Sequence, residues 1–252
     1  MLRGLVTALR TLTLLRVPGK DTDHFSQALY WFPAVGLLLG AIQAVAGYLI
    51  LIVFGNEIAA AAVLFTGIIM TRGMHADGFA DVADGFFGGG SVEARLRIMK
   101  DPAVGSFGVT ALILLILFKW ILLVELLAQD LYSWIVSGIM LARLVQVFLA
   151  STFPYARKEG GTASAFVKGA GISHVLLALS FSVAALLTVS NANLVFSGIA
   201  LLISMMSSGI AGFMSMKKIR GVTGDVLGAS SEITEVMVWG AGVFFAGQFI
   251  MQ

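Results

Sequence analysis

Three aspartates, Asp77, Asp81 and Asp84, follow one another at intervals of four and three residues. If the segment is helical, the three carboxylates lie within about 60° of one another on a single face. Carboxylates at this spacing repel one another and destabilise a bare helix, so they are typical of a site that holds a cation. Hard oxygen ligands favour Mg²⁺ or Mn²⁺, and Mg²⁺ commonly bridges carboxylates and phosphates. The spacing therefore predicts a Mg²⁺ site with these aspartates as ligands, rather than a solvated acidic face.

Basic residues follow the aspartates in the same connection, at Arg95, Arg97 and Lys100. A metal ion and basic groups together can share the negative charge of a diphosphate. These three side chains are therefore predicted to bind the diphosphate of a substrate, with simple anchoring at the membrane surface as the alternative. His75 precedes the aspartates and lies off their helical face, which favours a packed histidine or a contact with substrate over a role as a metal ligand.

A second candidate half-site begins at Thr223, Gly224 and Asp225. Glycine at this turn lets backbone amides meet an anion, so Thr223 and Gly224 are predicted to contact substrate. Asp225 and Glu232 are seven residues apart and share a helical face. Both are therefore predicted as metal ligands that face the first three aspartates.

These groups together predict phosphoryl transfer from a diphosphate-linked donor to an alcohol. One carboxylate can take the proton of the attacking hydroxyl group, and Asp84 and Asp225 are the candidate bases. Asp81 completes the predicted catalytic set, and the sequence does not choose between the two bases. A basic, glycine-rich loop at 154–172 could close over the substrate and supplies Arg157 as a predicted substrate contact. A flexible linker fits that loop equally well.

The chain that carries these residues has 252 residues, of which 58% are hydrophobic and only 12% charged. Soluble domains carry about 25% charged residues, so the composition excludes an ordinary soluble or disordered protein. The absence of cysteine excludes disulfides and thiolate metal sites. The sequence contains no zinc pattern, dinucleotide fingerprint or nucleic-acid module, so no nucleic acid is expected as a partner. The expected environment is the lipid bilayer.

The apolar segments predict an all-α, polytopic integral membrane protein, because about 20 apolar residues cross a bilayer as a helix. Residues 1–252 are expected to form a single membrane-embedded catalytic domain with about seven transmembrane helices. The predicted spans are 29–54, 56–73, 103–127, 131–153, 173–190, 194–213 and 235–251.

Charged residues are concentrated in four segments, 1–28, 74–102, 154–172 and 214–234. All but two of the 16 Lys and Arg residues lie in these segments or at their rims, and the short connections hold none. Positively charged loops stay in the cytoplasm, so the four segments and the candidate site are expected to face the cytoplasm. The two exceptions, Lys119 and Arg143, lie inside predicted spans, where a charge needs a role or a partner such as Glu125.

Residues 1–28 begin with apolar side chains at helical spacing, opposite a face with Arg3 and Arg10. The apolar run is too short for a signal peptide, and Arg10 interrupts it. We therefore predict an amphipathic helix at the cytoplasmic membrane interface, with a disordered tail as the alternative.

The chain resembles the cobalamin synthase family, also called adenosylcobinamide-GDP ribazoletransferase or cobalamin-5′-phosphate synthase, over nearly its whole length. The most specific element is His-x-Asp-Gly-x-x-Asp-x-x-Asp-Gly, which runs from His75 to Gly85. The other elements that carry the resemblance are 13–18, 32–36, 97–101 with Gly105 and Gly108, 155–157 and 224–228.

The resemblance implies transfer of the phosphocobinamide moiety of adenosylcobinamide-GDP to the 3′-hydroxyl of α-ribazole or α-ribazole 5′-phosphate. GMP leaves, and adenosylcobalamin or its 5′-phosphate is the product. The resemblance further implies dependence on Mg²⁺ and residence in the prokaryotic cytoplasmic (inner) membrane. Homo-oligomerisation and association with other corrinoid biosynthetic enzymes are left open.

Three alternatives remain at this point. A lipid-type CDP-alcohol phosphotransferase would use similar chemistry on a different substrate. A secondary transporter would be expected to place acidic residues at mid-membrane, whereas most acids of this chain lie in the charged segments. A structural scaffold for other corrinoid enzymes would tolerate substitution of the aspartates.

Overall fold

In the computed structural model of the chain, residues 2–250 are described, with side chains through residue 245. Within these residues the chain forms helices and no β-ladder, and one isolated bridge joins Tyr155 and Val222. The prediction of an all-α fold is therefore confirmed. The elements are α1 (Leu2–Leu12), a 3₁₀-helix (Phe25–Trp31), α2 (Phe32–Phe54), α3 (Asn56–Thr71), α4 (Met74–Gly88), α5 (Val92–Ile98), α6 (Ser106–Ala128), α7 (Tyr132–Thr152), α8 (Ser164–Val167), α9 (Ile172–Val189), α10 (Leu194–Ile219) and α11 (Gly224–Ile250).

Five helical segments of the described range are long and apolar enough to cross a membrane. They are the 3₁₀-helix with α2, followed by α6, α7, α9 and α10. α3 and α4 add a sixth only if the bent pair counts as one span. The multi-pass prediction is confirmed, but this count does not reach the predicted seven. The predicted span 235–251 lies in α11 and extends past the last side chain that the structure describes.

The predicted span 56–73 corresponds to α3, which ends at Thr71 in a sharp turn, so that α3 and α4 meet at 88°. Arg72 and Gly73 both have left-handed backbone angles, with φ of 56° and 67°, and such residues end helices. The Arg72 side chain donates to the carbonyl oxygens of Arg10 and Thr13 at 2.9 and 3.0 Å, which fastens the turn to α1. α4, with 15 residues and three aspartates, is too short and too charged to cross a bilayer alone.

The N-terminal helix α1 packs its apolar face against the 3₁₀-helix and α2. Ala8 and Leu12 are buried in this contact. On the opposite face, Arg10 pairs with Asp21 at 3.0 Å and donates to the carbonyl oxygen of Val17. The predicted amphipathic helix is therefore confirmed as a helix, and the alternative of a disordered tail is wrong.

The central helix is α7, which packs against α2, α9, α10 and α11 and is buried along most of its length. Glycines in α2 let the two backbones approach closely. A Cβ added to Gly40 would lie 2.9 Å from the carbonyl oxygen of Val136, and one added to Gly36 would lie 3.0 Å from the Cα of Met140. Small residues at such contacts are typical of helix pairs in membranes, where close packing replaces the hydrophobic effect.

Candidate active site

α4 and α11 cross with their backbones in close contact, which brings the two predicted acidic segments together. A Cβ added to Gly78 would lie 2.9 Å from both the Cα and the carbonyl oxygen of Asp225. A Cβ added to Gly228 would lie 3.2 Å from the Cα of His75. The missing side chains at these two glycines therefore allow Asp225 to sit beside the acidic face of α4.

We expect Gly78→Ala to lower the free energy of unfolding by about 1–3 kcal/mol, the usual cost of overpacking. The obstructing atoms belong to the Asp225 backbone, which cannot rotate away as a side chain can. Chemical unfolding of the detergent-solubilised protein, followed by circular dichroism, measures the effect. Gly240→Ala is the matched control, because nothing lies within 4 Å of a Cβ at that position in α11. Equal effects of the two substitutions would contradict the close crossing.

Asp84 is buried, and both of its carboxylate oxygens accept backbone hydrogen bonds from the start of α6. The Gly105 amide donates to Oδ2 at 2.7 Å and the Gly108 amide donates to Oδ1 at 2.9 Å. A carboxylate at a helix N-terminus satisfies otherwise unbonded amides and interacts favourably with the helix dipole. Asp84 thus joins α4 to α6, a structural contact that its predicted roles as metal ligand and base did not include.

The other two aspartates of α4 are more accessible, since Asp77 is exposed and Asp81 is half-buried. Within the described residues, neither carboxylate forms an ion pair or a side-chain hydrogen bond. Burial, together with the nearby carboxylates of Asp225 and Asp77, raises the pKa of Asp81 to about 7. The negative charge on this face is therefore only partly compensated by the protein, and Arg157 is the cation that acts on Asp81.

Asp225, the second residue of α11, is held by two partners. Arg157 donates from Nη2 to Oδ2 of Asp225 at 2.7 Å, and the Thr223 hydroxyl donates to the same oxygen at 3.2 Å. Arg157 reaches this position because its loop pairs with the start of α11. The Ala156 amide donates to the carbonyl oxygen of Val222 at 2.9 Å. The structure thus places Arg157 and Thr223, both predicted substrate contacts, directly against Asp225.

The three predicted diphosphate-binding cations have different surroundings. Arg95 donates to the carbonyl oxygen of Lys218 at 3.0 Å and so stabilises the end of α10. Lys100 pairs with Glu159 at 3.0 Å on the surface, and such exposed pairs are weak. Arg97 is exposed. Lys100 and Arg97 are therefore accessible to a ligand, whereas Arg95 has a structural contact of its own.

Glu232 does not join the aspartates, contrary to the expectation from its spacing. Its carboxylate contacts Lys119, which also donates to Glu235 at 2.6 Å. Nη1 of Arg143 on α7 lies 3.5 Å from Oε1 of Glu235. Two carboxylates and two cationic side chains therefore form one buried cluster. Two helical turns separate Glu232 from Asp225, about 10 Å along the axis of α11, which carries it away from α4. Its assignment as a metal ligand is corrected accordingly.

This buried cluster, formed by Lys119, Arg143, Glu232 and Glu235, was only partly foreseen. The sequence shows that the two cations inside predicted spans need partners, but it suggests Glu125, which is exposed in the structure. The pair of glutamates three residues apart was the available signal, because it offers two carboxylates on one helical face.

His75 and Gly224 line a cavity of about 230 Å³ beside the aspartates. The cavity is bounded by α1, the 3₁₀-helix, α2, α4, α7, α8 and α11, and Asp77 and Asp225 contribute to its lining. His75 is buried, at 4% exposed. The arrangement places a mainly apolar recess directly next to the carboxylates.

No three acidic or histidine side chains within the described part of the chain are gathered closely enough to hold one metal ion as they stand. Asp77, Asp81 and Asp225 nevertheless offer hard oxygen donors at one crossing of two helices. Of the described carboxylates, Arg157 pairs with that of Asp225 alone, and a divalent cation would neutralise the negative charge that remains on this face. This donor set therefore fits Mg²⁺ better than it fits a softer metal, for which the chain has no thiolate.

Comparison with known proteins shows which sequences the chain resembles. The family model described as cobalamin-5-phosphate synthase matches residues 4–243. An adenosylcobinamide-GDP ribazoletransferase of Chlorobium phaeobacteroides (strain BS1) is 61% identical over 245 residues, covering 97% of this chain and 99% of that protein. Enzymes of the same name from Prosthecochloris aestuarii and Syntrophobacter fumaroxidans are 58% and 33% identical, over 95% and 93% of this chain and 96% of each relative. No solved structure matches the chain.

Proposed function

The chain belongs to the cobalamin-5-phosphate synthase family, and we propose that it transfers phosphocobinamide from adenosylcobinamide-GDP to α-ribazole or α-ribazole 5′-phosphate. The attacking 3′-hydroxyl forms a new phosphoester bond, the P–O–P bond of the GDP group breaks, and GMP leaves. The observation that carries the proposal is the crossing of α4 and α11, which brings Asp225 against α4 and leaves Asp77 and Asp225 in the lining of one cavity. Carboxylates that can hold a cation next to a recess are what transfer of a diphosphate-linked group requires.

Asp77, Asp81 and Asp225 would hold Mg²⁺ in this proposal. Burial and neighbouring carboxylates raise the pKa of Asp81 to about 7, which supports a cation as the missing counter-charge. When bound, Mg²⁺ would neutralise the diphosphate oxygens and stabilise the GMP leaving group. Both carboxylate oxygens of Asp84 accept hydrogen bonds from backbone amides at the start of α6. Asp84 would therefore hold α4 against α6 and keep the metal ligands of α4 in position.

Cations of the chain would bind the diphosphate itself. Arg157 lies against Asp225 at 2.7 Å, so its guanidinium can contact a phosphate without leaving the carboxylates. Arg97 and Lys100 are exposed on the same connection and can approach a large substrate from outside. Arg95 would act on the site indirectly, by joining α5 to the end of α10.

Asp225 is the better of the two predicted bases. It lines the cavity, whereas Asp84 does not, so only Asp225 lies beside the space that an acceptor hydroxyl could enter. Proton transfer requires hydrogen-bond reach between the base and the hydroxyl group. Arg157 and Thr223 would orient the Asp225 carboxylate for that transfer.

The site would face the cytoplasm of a prokaryotic inner membrane. The basic residues near the site support this orientation, since positively charged loops remain on the cytoplasmic side. The GDP-linked donor carries a charged diphosphate and would reach the site from that side. Homo-oligomerisation and association with other corrinoid enzymes stay predictions.

The decisive test supplies adenosylcobinamide-GDP and α-ribazole to the detergent-solubilised protein and follows corrinoid product and GMP together. We expect equal amounts of both with Mg²⁺, loss of both with a chelator, and recovery when Mg²⁺ is restored. Full activity in the presence of the chelator would contradict the metal assignment. CMP release from CDP-diacylglycerol would favour a lipid phosphotransferase. Transport of the unaltered substrate into sealed vesicles, without GMP release, would favour a transporter.

A further inference from the structure

The cavity beside the aspartates has apolar walls from four different elements. Leu12 of α1, Leu29 of the 3₁₀-helix, Phe32 of α2 and Phe166 of α8 line it. Asp225 lies in its lining as well, so the cavity is apolar on most sides and acidic on one. Binding sites for small organic molecules typically combine apolar walls with a few polar groups in this way.

Two side chains that line the cavity each carry a buried polar atom without a hydrogen-bond partner among the described residues: Nε2 of His75 and Oε1 of Gln146. The two side chains are only 4% and 3% exposed. The amide nitrogen of Gln146 donates to the carbonyl oxygen of Leu227 at 3.3 Å, which leaves the oxygen as the available atom. Buried polar groups are nearly always hydrogen-bonded, so these two atoms are available to the polar groups of a molecule bound beside them.

We propose that this cavity holds the fused aromatic base of the nucleoside acceptor. The inference rests on the proposed function, and it assigns the acceptor to one particular recess of the site. At about 230 Å³ the cavity is too small for a corrinoid ring, because even drug-sized ligands occupy pockets of roughly 300–1,000 Å³. A bicyclic base with two methyl groups matches both the size and the apolar walls.

The polar atoms of such a nucleoside match the two buried side chains. The imidazole nitrogen that does not carry the sugar accepts a hydrogen bond, and the His75 ring can donate one from Nε2. A ribose hydroxyl donates a hydrogen bond, and Oε1 of Gln146 can accept it. With the base in the recess, the ribose is directed to the acidic side, where Asp225 lies.

One consequence concerns specificity. The apolar walls would disfavour bases with exocyclic amino groups, because a buried amino group without a partner is costly. A single-ring base would leave part of the recess unfilled. The amphipathic helix α1 would thus serve as one wall of the acceptor site through Leu12, in addition to packing on the 3₁₀-helix.

The test measures binding of α-ribazole to the full-length, detergent-solubilised protein without the donor, by calorimetric titration, together with the acceptor KM during turnover. Ala163→Leu enlarges a side chain that lines the recess, and Ala165→Leu makes the same change at an exposed position outside it. We expect at least tenfold weaker binding and a tenfold higher acceptor KM for Ala163→Leu, with Ala165→Leu close to the wild type. Unchanged values in a folded Ala163→Leu variant would overturn the proposal.

A second comparison uses the wild-type protein alone, so it does not depend on a variant that folds. The probes are the ribosides of dimethylbenzimidazole, imidazole and adenine, and we expect the first to have at least a tenfold lower acceptor KM than the others. Equal KM values would overturn the assignment of the recess while leaving the proposed function standing. Absence of GMP release with every acceptor would instead contradict the proposed function.

Discussion

Turnover by the Asp81→Asn variant is expected to fall by about 10³-fold, equivalent to losing about 4 kcal/mol of metal-dependent transition-state stabilisation. Asparagine has nearly the same shape as aspartate but lacks the charge that would hold Mg²⁺. Asp81 is half-buried between the other acidic residues, and burial and those neighbours raise its pKa to about 7. Release of GMP from adenosylcobinamide-GDP measures the loss.

The same substitution should not destabilise the protein, and this separates a catalytic role from a structural one. A carboxyl group whose pKa is raised in the folded state destabilises that state at pH values above its unfolded pKa. For Asp81 this cost grows with pH and is complete above pH about 7, where the folded protein carries the ionised carboxylate. In the absence of Mg²⁺, the wild-type protein should therefore gain stability as pH falls from 8 to 6. Asp81→Asn should lose that dependence and be at least as stable as wild type at pH 8.

Asp130→Asn is the matched control for this experiment. Asp130 is exposed on the connection between α6 and α7, and its φ of 55° is a conformation that asparagine also tolerates. We expect wild-type turnover and stability from this variant. Near-normal turnover by Asp81→Asn, with insertion and folding intact, would refute the metal site on α4.

Lys119→Met is expected to lower the free energy of unfolding by about 3–5 kcal/mol, the usual result of removing one partner from a buried ion pair. Lys119 is the centre of the buried cluster, where it contacts the carboxylates of both Glu232 and Glu235. Its ammonium also lies 5.2 Å from the centre of the Trp239 ring. Without it, two carboxylates share a single cation, Arg143. Unfolding of the solubilised protein in denaturant measures the effect.

Two further variants make this prediction specific. Lys217→Met is the same chemical change at an exposed position near the end of α10, and we expect an effect below about 0.5 kcal/mol, as for surface substitutions generally. Combining Lys119→Met with Glu232→Gln restores the charge balance, since Arg143 and Glu235 then remain as a pair. The combined variant should recover part of the lost stability. No recovery would indicate that packing of the lysine stem, and not its charge, accounts for the loss.

Local sequence patterns predicted some features well. The apolar face of residues 1–28 predicted α1, and the long apolar segments predicted the helices that span the membrane. The predicted span 56–73 corresponds to α3, but the 88° turn at its end was not predicted. That turn depends on Arg72, whose hydrogen bonds reach Arg10 and Thr13 about 60 residues earlier. A contact of that separation leaves no periodic signal.

Glu232 and Asp84 illustrate the same boundary within the site. The seven-residue spacing puts Glu232 on the same helical face as Asp225. It does not show how far along α11 each side chain lies from the aspartates of α4. That distance decides whether Lys119 or a metal ion is the neighbour of Glu232. Asp84 shares its face with Asp81, yet its partners are amides of a helix that begins 22 residues later. Residue spacing predicts the direction in which a side chain leaves its own helix. It does not predict which other helix packs against that side chain.

The sequence by itself determined the all-helical membrane fold, the family and the identity of the acidic residues, because hydrophobic length, helical period and residue chemistry are properties of short segments. Only the tertiary structure decided which acids share a site. Glycine contacts at Gly78 and Gly228 bring α4 against α11, and the position of Lys119 on α6 removes Glu232 from that site. These are consequences of how separate helices pack, and no single segment encodes the distance between two helices.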